Sequence, residues 1–322
     1  MPKLRPELAE ALAVGARPRV SVLRAGGLGD TLLTLPALQI LLAEAPDAQV
    51  TLVGSAWADR LRPLMAREFH VRRFDAGQLS AWFRPDLARD DSGLLSGADA
   101  VVIYSAGRAD ALERNARRLC AGTVIVHPLR PPAGTHATAH FARAVAQVEA
   151  AGDVPVRALS PPDHLAEWAE GWLGARLPGR TAPLAVHAGS GGARKCWPAE
   201  RFAALVRRME RPCLVLEGPA DEAATGRLLE RLPAAVPARG LGLGQIGALL
   251  RGCVLLVCND SGVAHLAAAL AVPTVAVFGP TDPRTWAPRG PAVAVVASDG
   301  TDAWPATEQV LEAARSLQTG RV

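Results

Sequence analysis

The sequence predicts an α/β protein made of two Rossmann-like halves, each built on a parallel sheet. The clearest observation lies in residues 253–283, where two apolar runs, 254–258 and 274–278, flank a short helix of small residues at 263–271. Apolar runs of this length, joined through a helix, are typical of buried parallel strands. A second observation is the alternation of strand and helix patterns along the chain, which a proline-rich stretch near residues 152–162 interrupts.

The first half is predicted as a domain of residues 1–155. After a lead-in at 1–17, its strands are expected at 20–23, 50–53, 71–74, 100–104 and 123–126. The helices between and after them are expected at 31–45, 56–65, 109–119 and 140–151. A turn at 24–30, rich in glycine, separates the first strand from the first long helix.

The second half is predicted as a domain of residues 180–322, joined to the first by a linker at 156–179 that contains a helix at 165–173. Its strands are expected at 183–186, 213–216, 254–258, 274–278 and 293–296. Its helices are expected at 199–209, 220–232, 244–251, 263–271 and 306–317.

Composition narrows the class of protein. With 322 residues, 49% hydrophobic and 20% charged, the chain is long and apolar enough for two folded domains. A net charge of +4 and only 4% aromatic residues do not favour a nucleic-acid surface. No apolar run reaches the roughly 18 residues of a membrane span, and the start of the chain lacks the apolar core of a signal peptide. Five cysteines without a Cys-x-x-Cys spacing indicate reduced thiols and a cytoplasmic protein.

A ligand site is predicted where the strand at 254–258 ends. The polar turn Asn259-Asp260-Ser261-Gly262 follows that strand and opens the next helix. Ligands of open parallel sheets bind at the carboxyl ends of the strands. A helix N-terminus at that edge presents free N–H groups and a positive dipole end, which suits an anion such as a diphosphate.

Lys195 is the second candidate for contact with an anion. All basic residues but Lys3 and Lys195 are arginine, and Lys195 follows a glycine-rich turn after the strand at 183–186. A compact ammonium group in such a turn is suited to a phosphate; the alternative is a solvated surface lysine. His136 and His140 have a spacing that could bind a metal, but no third ligand accompanies them, so a helix start is the preferred interpretation.

Three segments, in the same order along the chain, resemble the signatures of the family 9 glycosyltransferases, the ADP-heptose:lipopolysaccharide heptosyltransferases. The first is Leu23-Arg-Ala-Gly-Gly-Leu-Gly-Asp30 and the second is His187-Ala-Gly-Ser-Gly-Gly-Ala-Arg-Lys-Cys-Trp-Pro198. The third combines Asn259-Asp-Ser-Gly-Val-Ala-His265 with Phe278-Gly-Pro-Thr-Asp-Pro283.

The resemblance implies the GT-B architecture, two Rossmann-like domains facing across a cleft, with the acceptor on the first and the nucleotide sugar on the second. It implies an inverting glycosyltransferase that needs no metal and no cofactor beyond the ADP-sugar donor substrate. The donor would be ADP-heptose and the acceptor a hydroxyl of an anionic glycan of the lipopolysaccharide core, with peripheral membrane contact as a further expectation. The absence of any Asp-x-Asp also argues against a metal-dependent GT-A enzyme.

For the catalytic residues, the resemblance implies that Asp30 is the general base that deprotonates the acceptor hydroxyl. The residues alone also allow Asp30 to be the N-cap of the helix at 31–45. Lys195 would stabilise the charge on the departing diphosphate, a contribution of about 3–4 kcal/mol to transition-state stabilisation. Gly27 and Gly29 would let a substrate approach the backbone closely.

The remaining donor-site candidates surround the second domain's strand ends. Ser190, Gly191 and Gly192 would add hydroxyl and backbone donors, as would Ser261 and the amide of Gly262. Asp260 is expected on a sugar hydroxyl, on Lys195 or as a helix cap. His265 would contact the phosphate or the sugar, or be a satisfied core residue.

Three further candidates lie outside these turns. Glu217 ends the strand at 213–216 and would bind the ribose hydroxyls, with Glu222 as a weaker alternative. Thr281 would shape the pocket or belong to a capped turn. Arg60 and Arg62, in a basic stretch that runs to Arg73, would bind an anionic acceptor or form an ordinary solvated face.

Other functions stay open on the sequence. An enzyme of the same fold could use another nucleotide sugar, or act on a small natural product or a protein. A nucleotide-binding protein without transferase activity is a second alternative. A dinucleotide site is weakly supported, because Gly26-Gly-Leu-Gly29 is not Gly-x-Gly-x-x-Gly and no acidic residue ends the next strand. The oligomeric state is not predicted.

Overall fold

The computed structural model describes residues 2–65, 69–75, 79–106, 111–154, 159–177, 179, 181–298 and 303–319. The chain forms two compact units. Unit 1 contains Met1–Arg62 and Ala66–Pro155, and unit 2 contains Pro63–Met65 and Val156–Val322.

Unit 1 is a parallel five-stranded sheet with helices. Its strands are β1 (Arg19–Arg24), β2 (Gln49–Gly54), β3 (Phe69–Arg73), β4 (Ala100–Ser105) and β5 (Thr123–Pro128), in the order β3-β2-β1-β4-β5. Its α-helices are α1 (Pro6–Leu12), α2 (Leu28–Glu44), α3 (Ala56–Leu61), α4 (Ala111–Leu119) and α5 (Ala137–Ala142). Short 3-10 turns lie at Leu79–Phe83 and Ala151–Asp153, and a third, Arg62–Leu64, has its last two residues assigned to unit 2.

The apolar strand runs explain this sheet. Val20 of β1 pairs in register with Val50 of β2 and Ala100 of β4, and all three side chains are buried. Strands that are buried on both faces need nearly continuous apolar sequence, which these supply. On one face of the sheet, Trp82 and Leu95 belong to a core cluster with Leu23, Val53 and Val101 of the strands.

Unit 2 is a parallel six-stranded sheet. Its strands are β6 (Leu184–His187), β7 (Cys213–Leu216), β8 (Val236–Ala238), β9 (Leu255–Asn259), β10 (Thr274–Phe278) and β11 (Val293–Ala297), in the order β11-β10-β9-β6-β7-β8. Its α-helices are α6 (Asp163–Arg176), α7 (Ala199–Met209), α8 (Glu222–Arg231), α9 (Leu243–Arg251), α10 (Gly262–Ala269), α11 (Pro283–Trp286) and α12 (Thr307–Gln318). A 3-10 turn lies at Ala193–Lys195.

The helix predicted inside the linker belongs to unit 2. It is α6, which packs against α9. Leu165 of α6 lies close enough to Gly244 that a Cβ at that glycine would come within 2.8 Å of it. Glycine therefore permits the close contact of these two helices.

The predicted helix at 140–151 is wrong. The helix there is α5, which ends at Ala142. The following residues pair with the start of the chain: Ala146 bridges Leu4, and the N–H of Gln147 donates to the carbonyl of Lys3. These contacts take the backbone groups that a continued helix would have used.

Two further differences concern the ends and edges of elements. The helix predicted from residue 31 begins at Leu28, so the predicted turn is shorter. The strand β8 was not predicted, because Pro237 argues against a strand; it lies at the sheet edge, where a missing N–H is tolerated. None of the helices in the described residues combines the length and apolar character that crossing a membrane requires.

Candidate active site

Each unit has one point where the strand order reverses. Three of the predicted site residues, Asp30, Lys195 and Asp260, follow strands that flank these points. In unit 1 the reversal lies between β1 and β4, and in unit 2 between β6 and β9. Loops at the carboxyl ends of such neighbouring strands diverge and leave a crevice, the usual ligand position in open parallel sheets.

Asp30 is held in an ion pair at the carboxyl end of β1. Its Oδ1 lies 2.7 Å from a guanidinium nitrogen of Arg24, and its Oδ2 accepts the N–H of Gly27 at 2.8 Å. The side chain of Asp30 is 35% exposed, whereas that of Arg24 is 5% exposed. The carboxylate therefore has fixed orientation and still reaches solvent.

Asp30 was expected to be the N-cap of α2, and that expectation is wrong. Gly27 is the N-cap residue of α2, and Asp30 is the third residue of the helix. Its carboxylate reaches back to the cap N–H, which is the N3 half of a capping box. Gly29 lies inside the first turn of the same helix.

Arg24 is the buried partner that the sequence did not single out. Its guanidinium carbon lies 4.8 Å from the ring centre of Phe141 and 5.9 Å from that of Tyr104. Burial lowers the pKa of Arg24, and the charge of Asp30 opposes that shift. The sequence could have indicated Arg24 through its position, since it is the last residue of β1 and ligands bind at the carboxyl ends of parallel strands.

In unit 2, Lys195 and Asp260 form the central pair of the site. The Nζ of Lys195 lies 2.9 Å from Oδ2 of Asp260, and their side chains are 42% and 10% exposed. Of the three positions expected for Asp260, the structure shows the one on Lys195. The same turn is tied once more, because the hydroxyl of Ser190 donates to the carbonyl of Asp260 at 2.7 Å.

Asn259 fixes the glycine-rich loop from below. Its side chain is fully buried, and its amide donates to the carbonyls of Ala188 (2.8 Å) and Gly189 (3.2 Å). Its amide oxygen accepts the N–H of Trp197 at 2.8 Å. One side chain thus holds both ends of the loop that carries Ser190 and Lys195, which preorganises the loop before a ligand arrives.

His187 and Asp221 form a buried pair beside the candidate site, and the sequence did not single out either residue. The Nε2 of His187 lies 2.9 Å from Oδ2 of Asp221, and its Nδ1 lies 3.4 Å from the hydroxyl of Ser261. Burial alone would raise the pKa of Asp221, but the hydrogen bonds that its carboxylate accepts from His187 and from the N–H of Gly218 bring it below the usual range. Asp221 is therefore a buried carboxylate that stays ionised.

The start of α10 carries the other predicted donor contacts. Ser261 is the N-cap residue, and Gly262 is the first residue of the helix. Because Ser261 occupies the N-cap position, Asp260 is not the cap, and the side chain of Ser261 makes no cap hydrogen bond. His265 is buried in the first turn of α10. Gly191 and Gly192 lie exposed in the glycine-rich loop after β6, and an added Cβ at either would meet no atom within 4 Å.

The outer candidates lie in different surroundings. Glu217 follows β7, and its Oε2 accepts from Nε of Arg239 at 3.0 Å. Thr281 lies partly exposed between β10 and α11, beside Asp282, which caps α11 through the N–H of Arg284. Glu222 is the exposed first residue of α8.

Arg60 and Arg62 are exposed in unit 1. The guanidinium of Arg60 lies 5.0 Å from the ring centre of Trp57, and Arg62 makes an ion pair of 3.4 Å with Asp59. Arg67, from the same basic stretch, lies outside the described residues.

A cavity of about 750 Å³ in unit 1 lies away from the candidate site residues of that unit. Its lining includes the first residues of β1 and β2, Arg19 and Gln49, with His70 of β3. Those residues mark the amino ends of the strands, opposite to the edge where ligands of parallel sheets bind. Within the described part of the chain, no three His, Cys, Asp or Glu side chains are grouped so that they could hold a metal ion.

Comparison with known proteins decides the family. The model of glycosyltransferase family 9 (heptosyltransferase) matches residues 132–312, more than half of the chain. The chain belongs to glycosyltransferase family 9. Within the family, it is 28% identical to lipopolysaccharide heptosyltransferase 1 of Pseudomonas aeruginosa over 291 residues, which cover 82% of this chain and 79% of the relative.

Solved structures show the same fold. A family 9 glycosyl transferase of Veillonella parvula superposes with a TM-score of 0.75 at 22% identity, covering 94% of this chain and 98% of that one. The E. coli ADP-heptose lps heptosyltransferase II superposes with a TM-score of 0.74 at 20% identity, covering 94% and 99%. The predicted GT-B class, with two parallel α/β sheets, and the predicted glycosyltransferase activity are confirmed. The roles of individual site residues stay predictions.

Proposed function

We propose that this family 9 enzyme is an inverting, metal-independent heptosyltransferase. It moves heptose from ADP-heptose to a hydroxyl of an anionic glycan of the lipopolysaccharide-core type, in the cytoplasm. The observation that carries the proposal is the Lys195–Asp260 pair at the strand reversal of unit 2, next to the start of α10. The names of the relatives, a lipopolysaccharide heptosyltransferase and an ADP-heptose lps heptosyltransferase, support the choice of donor and acceptor.

The donor's diphosphate is assigned to the start of α10. Free N–H groups there attract anions, and Lys195 adds a positive charge on the neighbouring loop. Asp260 would repel a diphosphate if it were unpaired, but its charge is balanced by Lys195 at 2.9 Å. The remaining acceptor capacity of the Asp260 carboxylate suits a sugar hydroxyl.

Asp30 is assigned the proton transfer. Its carboxylate takes the proton of the acceptor hydroxyl while that oxygen forms a bond to the anomeric carbon, from the face opposite to the diphosphate. The bond between the anomeric carbon and the diphosphate oxygen breaks, and ADP leaves with the electron pair. Arg24 and Gly27 occupy one site on each oxygen of Asp30, so each oxygen keeps capacity for the acceptor hydroxyl.

Transfer assays with ADP-heptose and a lipopolysaccharide-core acceptor test the proposal, with ADP affinity measured by calorimetry on the same samples. We expect Asp30→Asn to lose about 10²–10⁴-fold in kcat, because it removes the base together with the ion pair to Arg24. ADP affinity should stay unchanged, because these contacts lie in unit 1 and the proposed diphosphate position lies in unit 2. Lys195→Ala should lose about 10²–10³-fold and also bind ADP more weakly. Activity should survive a chelator, and the product's anomeric configuration, read by NMR, should be inverted.

Each part of the proposal can fail separately. Turnover of a UDP- or GDP-sugar in preference to ADP-heptose would contradict the donor. Transfer only to a small molecule or a protein would contradict the acceptor. Tight ADP binding with no transfer to any acceptor would indicate a nucleotide-binding protein, and full activity of Asp30→Asn would remove the assigned base.

A further inference from the structure

His187 and Asp221 are two buried ionisable side chains that the mechanism above does not use. Their side chains are 4% and 11% exposed, and they connect the ends of β6 and β7 to the start of α10. Such a pair is costly to bury unless its hydrogen bonds are satisfied. His187 contacts Ser261, and Ser261 lies at the proposed diphosphate position.

The direction of each hydrogen bond follows from Asp221. An ionised carboxylate only accepts, so Nε2 of His187 carries a hydrogen and donates it. In a neutral imidazole, Nδ1 is then an acceptor, and the hydroxyl of Ser261 is the group that faces it, at 3.4 Å. Without a ligand, the Ser261 proton is thus directed to His187, and only oxygen lone pairs are left for an approaching anion.

We propose that binding of the donor's diphosphate draws one proton from solvent onto His187. The inference rests on the proposed function, which places the diphosphate at Ser261. The proton attaches to Nδ1, Nδ1–H donates to the Ser261 oxygen, and the Ser261 hydroxyl turns its own hydrogen to a phosphate oxygen. No other bond forms or breaks, and every donor in the chain from Asp221 to the phosphate has an acceptor.

The surrounding charges favour this change. Asp221, on the loop before α8, supplies a buried negative charge against the new imidazolium. Lys195 and Asp260 balance each other. Other titratable groups on the adjoining elements are Cys196, on the glycine-rich loop, His265, on α10, and Cys258 of β9, which lies opposite His187 in the sheet. Arg194 lies on the 3-10 turn, and Glu222 lies on α8. Burial and the charge of Asp221 raise the pKa of the Cys196 thiol, and the charge of Arg227 on α8 opposes that shift.

Calorimetric titration with ADP tests the proposal. Titrations in buffers of different ionisation enthalpy, between about pH 7 and about pH 8.5, give the number of protons taken up per ADP. We expect the wild-type protein to take up as much as one proton for each ADP bound. Its affinity for ADP should then fall as the pH rises, by up to about tenfold per pH unit. His187→Gln should lose that uptake. The ionisation of ADP itself cancels when variant and wild type are compared.

Asp221→Asn separates charge from structure. The N–H of Gly218 and the Nε2 of His187 both donate to the same oxygen, Oδ2. An asparagine amide oxygen in that place keeps both hydrogen bonds and removes only the charge, so the uptake should fall while the fold persists. Ser261→Ala, a smaller change, should also lose the uptake. His164→Gln, at an exposed histidine of α6, is the matched control and should keep it.

A merely structural role of the pair predicts another pattern. The variants would then bind ADP more weakly with the wild-type number of protons, and that result would overturn the inference while leaving the proposed function intact. Failure of the wild-type protein to bind ADP would overturn both.

Discussion

Asp221 accounts for glycine in two neighbouring loops of unit 2. A Cβ at Gly189 would lie 1.9 Å from its Oδ1, and one at Gly218 would lie 2.6 Å from its Oδ2. Both glycines have ordinary negative or extended φ values, so space and not backbone conformation requires them. The glycine-rich loop therefore combines one glycine that packing demands with others that face open space.

Gly189→Ala tests that distinction. The added methyl group displaces the Asp221 carboxylate and its hydrogen bond to His187, so we expect a loss of about 1–3 kcal/mol in the free energy of unfolding. Urea denaturation followed by tryptophan fluorescence measures it. Gly192→Ala, at an extended φ of 173° with no neighbour within 4 Å, should change it by less than about 0.5 kcal/mol. Equal losses in the two variants would show that loop entropy, not the contact with Asp221, explains the glycine.

At the scale of elements, the turn between β1 and α2 is built around the Asp30 carboxylate. Gly26 has φ of +146°, and a Cβ there would come within 2.6 Å of Oδ2 of Asp30. The carbonyl of Gly26 also accepts the hydroxyl of Ser55 at 2.7 Å, which ties the turn to the loop after β2. The turn thus places the proposed base through a close backbone approach that no other residue type allows.

Gly26→Ala should accordingly move Asp30. We expect kcat to fall by about 10²-fold or more, since small displacements of a reacting group carry costs of that order. ADP affinity, which depends on unit 2 in the proposed mechanism, should stay unchanged. Gly134→Ala is the control: it has a positive φ of +76°, but an added Cβ meets nothing within 4 Å. Retention of full activity by Gly26→Ala would contradict the assigned position of Asp30.

The elements also show which structural features the sequence pattern determines. Buried strands such as 213–216 and 274–278 were predicted to the residue, because an apolar run between polar turns has one stable placement in a parallel sheet. The segment at 143–151 was mispredicted as helix, since its pairing partner lies at residues 3–5, far away in the chain. The sequence singled out candidate residues in the turns, but it did not single out Asp221 and His187, because their pairing depends on which strands are neighbours.

At the scale of the whole molecule, the two units follow one plan. Each has a parallel sheet with a strand-order reversal, and beside each reversal a buried ionisable side chain supports a more exposed one. In unit 1 the buried Arg24 supports Asp30, and in unit 2 the buried Asp221 acts through His187 on Ser261. A buried charge without a partner lowers the free energy of unfolding. Because protonation changes such a charge, the free energy of unfolding depends on proton binding by the same groups.

Unit 1 also contains two neighbouring histidines, His127 and His140, whose ring centres lie 4.4 Å apart. Burial, and then the neighbouring His140, lower the pKa of His127 to about 4, and burial lowers that of His140 as well. In the unfolded chain both titrate near the usual value of about 6.5. As pH falls through that value, the unfolded state binds protons that the folded state refuses, so stability decreases with acidification.

We therefore expect the free energy of unfolding to fall between about pH 6.5 and about pH 4.5, by up to about 1.4 kcal/mol per pH unit for each histidine. The carboxylates with lowered pKa values, such as Asp90, act below this window, because their stabilisation is lost only near and below their usual value of 3.8. Urea denaturation at a series of pH values measures the slope. His127→Gln should flatten it, because one of the two refused protons is removed, whereas His164→Gln, at an exposed site, should leave it unchanged. Parallel curves for His127→Gln and the wild type would show that His127 accepts its proton in the folded chain, and that the pair does not limit acid stability.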